Sequence, residues 1–241
     1  VSVEVLDGGR VIASDTVQTA GRAEIRTRLF IEEPILWSPE QPHLYEVRLT
    51  LLDHASGERD EATSYTGLRE VSVTGGQLCL NGAPLYLRGV LDQGYFPEGW
   101  YTATTDGALR RDVELTLAMG FNCARKHQKA EDPRYLYWAD KLGLMVWAEM
   151  PSGRVFSTEL VESLTREWME LIKRDRAHPS IIAWVPFNES WGVWHQSERP
   201  EQRAFVDAIT SLTKALDDSR VVVGNDGWEY SSGDLWTLHL Y

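Results

Sequence analysis

From residue 85 onward the chain alternates apolar, strand-length runs with segments of helical periodicity, and this rhythm limits its fold most strongly. The run IIAWVPF (181–187) contains no charged residue, and in the segment before it Leu160, Leu164 and Trp168 share one helical face. Apolar strands separated by helices are typical of a parallel sheet that is covered on both faces. Six such strands are predicted, at residues 85–91, 121–127, 144–150, 181–187, 221–225 and 235–241.

Two architectures fit this rhythm, a doubly wound sheet and a (β/α)8 barrel. No glycine-rich nucleotide-binding fingerprint follows the first strand, which weakens the doubly wound alternative. A barrel requires eight strand–helix units, whereas the sequence supplies six strands up to residue 241. We therefore predict a truncated (β/α)8 TIM barrel, strands one to six, over residues 67–241.

The first 66 residues predict short antiparallel strands. In LYEVRLTLL (44–52), Tyr45, Val47 and Leu49 alternate with charged residues, which is typical of a half-buried strand. Short strands separated by turn residues predict a β-sandwich over residues 1–66. The sandwich is expected to be incomplete, because residue 1 already lies in a strand pattern. A hairpin is also predicted at Asn81-Gly82, which suits a type I′ turn.

Charge and composition disfavour several classes of function. The formal net charge of −12 argues against a nucleic-acid or anionic-membrane partner. No run approaches the roughly twenty apolar residues of a membrane-spanning helix. Cys79 and Cys123 lack zinc-site spacing and are expected to be reduced core thiols. The absence of a visible secretion signal favours a cytoplasmic location, and no cofactor is predicted.

The candidate chemistry lies in residues that follow the strands, because catalysis in a barrel gathers at the carboxyl-terminal strand ends. Glu189 follows the run 181–187, and Asn188 beside it offers a neutral donor for a sugar hydroxyl. Glycoside hydrolysis with retention needs a carboxylic acid to protonate the departing oxygen and a second carboxylate about 5–5.5 Å away. From position alone, Glu189 also fits an exposed loop glutamate. The strand ends carry no histidine cluster and no GxSxG motif, so metal-dependent or serine hydrolysis is not predicted.

Four segments, in order, resemble glycoside hydrolase family 2, which includes β-galactosidases, β-glucuronidases and β-mannosidases. They are LWSPEQPHLYEVRL (36–49), LNGAPLYLRGV (80–90), FNCARKHQ through WADKLGLMVWAEMP (121–151) and RDRAHPSIIAWVPFNES (174–190). The resemblance implies an immunoglobulin-like sandwich before the barrel and a retaining exo-β-glycosidase with Glu189 as general acid/base. It also implies that the nucleophile, a second glutamate, follows a seventh strand beyond residue 241, so the fragment itself is expected to be inactive.

The resemblance and the strand-end positions together define a substrate-binding set. By the resemblance, Asn188 contacts the sugar 2-hydroxyl, Glu149 shapes the site, and Tyr241 corresponds to a tyrosine that hydrogen-bonds the nucleophile. Arg125 is a site cation, the ion-pair partner of Glu149, or both. His127 either binds the sugar or is a satisfied histidine at the rim. The complete set is Asp92, Arg125, His127, Glu149, Asn188, Trp191, Trp228 and Tyr241.

Two segments depart from the pattern common in the family. Many members have a histidine shortly after the RGV of the first barrel strand, where this chain has Leu91-Asp92-Gln93. On the second strand His127 lies two places after Arg125 rather than three. Asp92 and Gln93 are therefore expected to face the sugar in a different way. These departures leave the sugar open, and no metal site is predicted.

The aromatic and cationic neighbours have alternative interpretations. Trp191 and Trp228 either stack on a pyranose or pack the loops. Lys126 and Lys129 are expected to be solvated; the alternative is a cluster of cations that favours an acidic sugar. A Schiff-base aldolase is disfavoured, because Lys126 alone lies at a strand end.

The main alternative function is a non-catalytic carbohydrate-binding or scaffold module on a degenerate barrel. The adjacent Asn188 and Glu189 favour the enzyme, and a carbohydrate substrate is the expected partner. A barrel of six strands has two open edges, which predicts a homo-oligomer, disordered missing segments or poor solubility.

Overall fold

The computed structural model describes residues 1–22 and 24–241. The described part of the first 66 residues forms one four-stranded antiparallel sheet in the order β2-β1-β3-β4. In the alternating segment, Val47 pairs with Val5 on one side and with Ser64 on the other. This sheet confirms the predicted antiparallel strands. They are β1 (Ser2–Asp7), β2 (Arg10–Thr16), β3 (Tyr45–Leu52) and β4 (Arg59–Thr66).

A small antiparallel sheet connects this region to the rest of the chain. It comprises β5 (Val71–Thr74), β6 (Gln77–Leu80) and β7 (Ala83–Pro84). The turn between β6 and β7 has φ of 53° at Asn81 and 77° at Gly82. Positive φ at both central residues is the requirement of a type I′ turn, so the predicted hairpin is confirmed.

The second half of the molecule is built on a parallel sheet of five strands in the order β8-β9-β10-β11-β12. The linear order of consecutive strands confirms the predicted alternation of parallel strands and helices. The strands are β8 (Gly89–Asp92), β9 (Cys123–Lys126), β10 (Met145–Glu149), β11 (Ile181–Val185) and β12 (Val221–Val222).

Four helices connect these strands, and their apolar faces form the core with the sheet. Trp168 of α3 and Trp184 of β11 are fully buried with ring centroids 5.7 Å apart, and the indole of Trp168 donates to Thr213 Oγ1 on α4 at 2.7 Å. Asp132 caps α2 by accepting from the backbone of Arg134, as predicted. The helices are α1 (Asp106–Ala118), α2 (Pro133–Leu142), α3 (Thr158–Asp175) and α4 (Pro200–Leu216). Among the described residues, no helix combines the length and apolar character needed to cross a membrane.

The prediction of a sixth strand at residues 235–241 is wrong. The backbone N–H and C=O of Val222 in the short strand β12 are both occupied by Asp234, through its side chain and its backbone N–H, each at 2.7 Å. Because Asp234 occupies these two backbone groups, Val222 cannot form hydrogen bonds with a sixth strand on that edge of β12. Residues 235–241 instead contact the loop after β12, where His239 N donates to Gly227 O at 3.1 Å.

Candidate active site

Arg125 on β9 contacts three polar side chains at the carboxyl-terminal end of the parallel sheet. Its Nε lies 2.8 Å from Glu149 Oε2, at the end of β10, and 2.8 Å from Asp226 Oδ2, after β12. Its Nη2 donates to Asn188 Oδ1, after β11. Four consecutive strands therefore supply one largely buried network, in which two carboxyl groups share a single guanidinium. The alternative interpretations of Arg125, a site cation and the partner of Glu149, are compatible.

This network fixes the orientation of the Asn188 side chain. Because Arg125 is only a donor, the amide must present its oxygen to the guanidinium. The Nδ2 of Asn188 then points elsewhere, and it is buried without a hydrogen-bond partner among the described residues. A buried unpaired donor costs free energy, so this amide is suited to a ligand oxygen.

Glu189 lies at the same end of the sheet, on a turn of unusual backbone conformation. Its φ is 48° and that of Ser190 is 58°, both in the left-handed region. The turn is fixed by bonds from Glu189 N to Asp226 O at 2.7 Å and from Ser190 N to Asn225 Oδ1 at 2.9 Å. The side chain of Glu189 is largely enclosed, with 16% of its surface exposed.

The carboxylate of Glu189 accepts two hydrogen bonds at Oε1. His239 Nδ1 lies 2.8 Å away, and the Tyr241 hydroxyl donates to the same oxygen. Partial burial opposes ionisation of Glu189. The bonds from Tyr241 and His239, with the charge of Arg125, outweigh burial and hold the pKa of Glu189 below its usual value. In these 241 residues Glu189 is therefore predominantly an anion at neutral pH.

Glu149 differs from Glu189 in both burial and bonding. It is fully buried, and its Oε1 accepts from Gln128 N at 2.8 Å while Oε2 faces Arg125. Burial raises the pKa of Glu149 to about 7, although Arg125 favours the anion. With both oxygens engaged, Glu149 is placed to support the network.

His127 lies near the same site, at the end of β9. Its Nδ1 is 3.1 Å from Nε2 of the exposed Gln93. Because an amide nitrogen is only a donor, the imidazole accepts at Nδ1 and carries its hydrogen on Nε2. Burial and the nearby Arg125 lower the pKa of His127, which favours this neutral form.

Asp92 lies on a different face of the sheet from Arg125. It pairs with Lys126 in the β8–β9 ladder, and adjacent residues such as Arg125 and Lys126 point to opposite faces of a strand. Asp92 Oδ2 lies 2.6 Å from Lys126 Nζ on the side of the helices. Among the described residues, no hydrogen bond or ion pair links Asp92 to Glu189.

The expectation that Lys126 and Lys129 are solvated is wrong. Both are buried, and Glu131 binds Lys126 at 2.6 Å and Lys129 at 3.1 Å. The Lys126 ammonium also lies 4.1 Å from the centre of the Tyr135 ring. Buried ammonium groups require such partners. Lys126 therefore belongs to the packing between the sheet and α2, whereas Lys129 is held among loop residues, where it also donates to Gly94 O at 2.9 Å.

Trp191 and Trp228, expected near the sugar, are linked by a third indole. The ring of Trp194 lies 4.5 Å from that of Trp191 and 5.7 Å from that of Trp228, between centroids. Within the part of the chain that the structure describes, no group of three or more metal-ligating side chains is found.

Comparison with known proteins places the chain in a family. The model described as "Glycosyl hydrolases family 2, TIM barrel domain" matches residues 71–235, and that described as "Glycosyl hydrolases family 2" matches residues 1–69. The chain belongs to glycoside hydrolase family 2. The five parallel strands and four helices observed here lie within the part that matches the barrel domain.

Relatives of this family-2 chain carry two enzyme names. It is 28% identical to a beta-galactosidase of Pseudoalteromonas haloplanktis and 31% identical to one of Photobacterium profundum, each over 92% of the chain and 22% of the relative. The solved apo structure of Bacteroides uniformis beta-glucuronidase 3 superposes with a TM-score of 0.79 at 27% identity, over 93% of this chain and 28% of that one. The chain thus spans about 22% of the length of these curated relatives.

Two residues of the candidate site were not predicted from the sequence. Asp226, which shares Arg125 with Glu149, directly follows the predicted strand 221–225, but no motif marks it in the sequence. His239 was missed because it lies inside a predicted strand. Counting back by two from Tyr241 places His239 on the same face, and both side chains do reach Glu189.

Proposed function

We propose that the whole protein to which this chain contributes is a retaining exo-β-glycosidase that releases terminal sugars, with Glu189 as its general acid/base. The names of the relatives support glycoside hydrolysis as the reaction. The observation that carries the assignment is the side chain of Glu189. It projects from a fixed turn beside the buried network of Arg125 and Asn188, and Oε2 makes no hydrogen bond among the described residues.

The proposed mechanism is a double displacement. Protonated Glu189 donates its proton to the glycosidic oxygen as the bond to the anomeric carbon breaks, while a second carboxylate attacks that carbon. Glu189, now an anion, then removes a proton from the water that hydrolyses the glycosyl–enzyme bond. We infer from the resemblance that the attacking carboxylate is contributed from outside these 241 residues.

The lowered pKa of Glu189 is compatible with this cycle. Hydrogen bonds from His239 and Tyr241 stabilise its anion, which is the form required for the second step. An anionic nucleophile nearby would raise the pKa of Glu189 and favour the acid required for the first step. Tyr241 is equally suited to contact that nucleophile, and its bond to Glu189 would then be shared or exchanged.

The remaining site residues receive supporting roles in this proposal. Asn188 Nδ2 donates to the 2-hydroxyl of the sugar, since it is the buried donor without a partner among the described residues. Arg125 and Glu149 hold that amide in place, and His127 donates to the sugar through Nε2. Asp92 positions β8 and β9 through Lys126 and does not contact the sugar directly.

Replacement of Glu189 by glutamine tests the acid/base assignment. In the whole protein, Glu189→Gln should slow glycosides with poor leaving groups by on the order of 10²–10⁴-fold, because proton donation is lost. Aryl glycosides with good leaving groups need less protonation and should slow much less. The measurement is kcat/KM across a series of leaving groups.

Glu198→Gln is the matched control, because Glu198 is an exposed glutamate in the same loop between β11 and α4. It should leave the leaving-group dependence unchanged. Equal slowing of good and poor leaving groups by Glu189→Gln would contradict the assignment.

We also propose that these 241 residues alone are inactive. Glu149 is buried and engaged by Arg125 and Gln128, so it is poorly placed to attack a sugar. A panel of nitrophenyl glycosides incubated with the 241-residue chain should show no release of nitrophenol above background. Turnover that disappears in Glu189→Gln would contradict this expectation.

The alternative function, a carbohydrate-binding module, is favoured by one observation. Asn188 Nδ2 is buried without a hydrogen-bond partner among the described residues, and such a donor binds a sugar oxygen without any chemistry. Sugar binding by the whole protein without hydrolysis of any β-glycoside would support the module and contradict the enzyme.

We propose a division of the chain into a partial immunoglobulin-like sandwich at residues 1–66 and a partial barrel at residues 67–241. The end of β4 at Thr66 and the matched ranges 1–69 and 71–235 support it. Continuation of the barrel through strands six to eight would then complete the site around Glu189.

A further inference from the structure

The turn that carries Glu189 has a backbone conformation that its own sequence does not favour. Asn188 O accepts from Trp191 N at 2.9 Å, and the two residues between them, Glu189 and Ser190, have φ of 48° and 58°. Positive φ at both central positions is characteristic of a type I′ turn, in which asparagine and glycine are preferred because they tolerate this region. Glutamate and serine do not share this tolerance, so contacts with other segments must stabilise the turn.

The side chain of Asn225, three residues after β12, bonds both the backbone and the side chain of Ser190. Its Oδ1 accepts from Ser190 N at 2.9 Å, and its Nδ2 donates to Ser190 Oγ at 3.0 Å. The same nitrogen donates to Glu229 O at 2.5 Å. Asn225 is 3% and Ser190 1% exposed, so water is excluded from these bonds. Only an amide side chain supplies an acceptor and two donors without carrying a charge.

These bonds belong to a closed ring of hydrogen bonds formed by Ser190, Asn225, Glu229 and Gln196. Glu229, which accepts from Asn225 at its backbone oxygen, also accepts from Gln196 N at its Oε2, at 3.2 Å. Gln196 Nε2 donates to Ser190 Oγ at 3.4 Å, which closes the ring at the turn. The ring connects the loop after β11 with the loop after β12. Each member is restricted by two neighbours, so the turn is held before a substrate binds.

Asn225 acts on Glu189 through the turn and not by direct contact. Among the described residues, no hydrogen bond links Asn225 to the side chain of Glu189, and the backbone bond from Glu189 N to Asp226 O involves main-chain atoms only. The direction of the Cα–Cβ bond of Glu189 follows from the backbone angles of the turn. A change of either central residue to an ordinary negative φ would move the carboxylate relative to Arg125 and Asn188.

We propose that Asn225 is a positioning residue for the acid/base: it stabilises the left-handed turn and thereby sets the place from which Glu189 delivers its proton. This inference rests on the proposed role of Glu189 as general acid/base. Proton transfer requires the carboxyl group within hydrogen-bond reach of the glycosidic oxygen, and a displacement of about 1 Å costs on the order of 10²-fold in rate. Loss of Asn225 should therefore reproduce part of the defect that loss of the carboxyl group causes.

The test is the dependence of kcat/KM on the leaving group, measured in the whole protein. Asn225→Ala should lower kcat/KM for glycosides with poor leaving groups about tenfold more than for aryl glycosides with good leaving groups, because poor leaving groups need a correctly placed acid. The ratio of the two kcat/KM values does not depend on the fraction of folded enzyme, so a merely structural role leaves it unchanged. Ser190→Ala keeps the bond from its backbone N to Asn225 and loses those to Oγ. It should change the ratio in the same direction by about twofold to threefold.

Asn225→Ala is also combined with Glu189→Gln. The double variant should show the leaving-group dependence of Glu189→Gln alone, because no proton donor remains to be positioned. Asn122→Ala is the matched control, since Asn122 also bonds two backbone groups, but before β9, at the opposite end of the sheet. Its Oδ1 accepts from Arg88 N at 2.7 Å, and its Nδ2 donates to Tyr86 O at 3.0 Å. Asn122→Ala should leave the ratio unchanged.

An unchanged ratio in Asn225→Ala would overturn the proposal, and if that variant does not fold, an unchanged ratio in Ser190→Ala would do so. A further change of the ratio when Asn225→Ala is added to Glu189→Gln would mean that Asn225 acts through another group. The same shift in Asn122→Ala would mean that any weakening of the fold has this effect, and either result also overturns the proposal. Equal slowing of good and poor leaving groups by Glu189→Gln would instead contradict the proposed function.

Discussion

Arg125 is the residue on which the buried charges of the site depend. It lies between Glu149 and Asp226, which are both almost completely buried, and it orients the amide of Asn188. Removal of one partner from a buried charge pair is more costly than removal of the whole pair, because the remaining charge is left without compensation. Arg125 has two such partners, so its loss should be more severe than the loss of either carboxylate.

Arg125→Met should therefore destabilise the chain by about 3 kcal/mol or more at pH 8, and Glu149→Gln by less. The effect should depend on pH. Burial already raises the pKa of Glu149 to about 7 from an ordinary 4.5, so in this window the folded chain binds more protons than the unfolded chain. Stability consequently falls as pH rises through the window, and without Arg125 the fall should be steeper and extend to higher pH.

Urea unfolding of the wild-type chain and of both variants at pH 5 and pH 8 measures this difference. The triple variant Arg125→Met/Glu149→Gln/Asp226→Asn is the matched control, because it removes the charges together and should recover part of the lost stability. A penalty in Arg125→Met that is equal at the two pH values would contradict the assigned role of Arg125.

At the scale of elements, a short sequence motif predicts a helix end or a turn when the interactions that form it are made by neighbouring residues. The cap at Asp132 and the turn at Asn81-Gly82 are satisfied by neighbouring residues, so the sequence pattern is sufficient to predict α2 and the β6–β7 hairpin. The segment 235–241 has the pattern of a strand but pairs with no strand. The backbone N–H and C=O of Val222, at the edge of the sheet, are already bonded to Asp234. Strand pairing depends on a partner edge, and no pattern within the segment reports whether that edge is free.

In the candidate site too, the features that depend on neighbouring residues could be predicted, and those that depend on distant segments could not. Asn188 and Glu189 are predictable from the sequence because they directly follow an apolar strand, and in the structure they lie at the end of the sheet. The burial of Lys126 and Lys129 could not be predicted, because it depends on Glu131 and Asp92 from other segments. Solvation is the usual state of a lysine, and only the tertiary arrangement of the carboxylates overrides it.

At the scale of the whole molecule, the antiparallel region and the parallel sheet share buried contacts. Trp37 is fully buried in a cluster that contains Met145 and Ile182 of the parallel sheet, and its Nε1 donates to Asp140 O at 2.8 Å. Tyr65 on β4 donates to Asp140 Oδ2 at 2.7 Å. An interface with a buried indole and satisfied polar groups couples the two regions more strongly than a surface contact.

This coupling predicts that the two regions unfold together. Trp37→Ala should cost about 3–5 kcal/mol, since it leaves a cavity between them, and it should lower the protection of amides in β3 and in β11 by the same factor. Native-state hydrogen exchange measures both strands in one experiment. Phe30→Ala is the control, because Phe30 is 82% exposed and its loss should leave both sets of amides unchanged. Reduced protection of β3 alone, with β11 unaffected, would mean that the antiparallel region opens independently and that Trp37 stabilises only its own side of the interface.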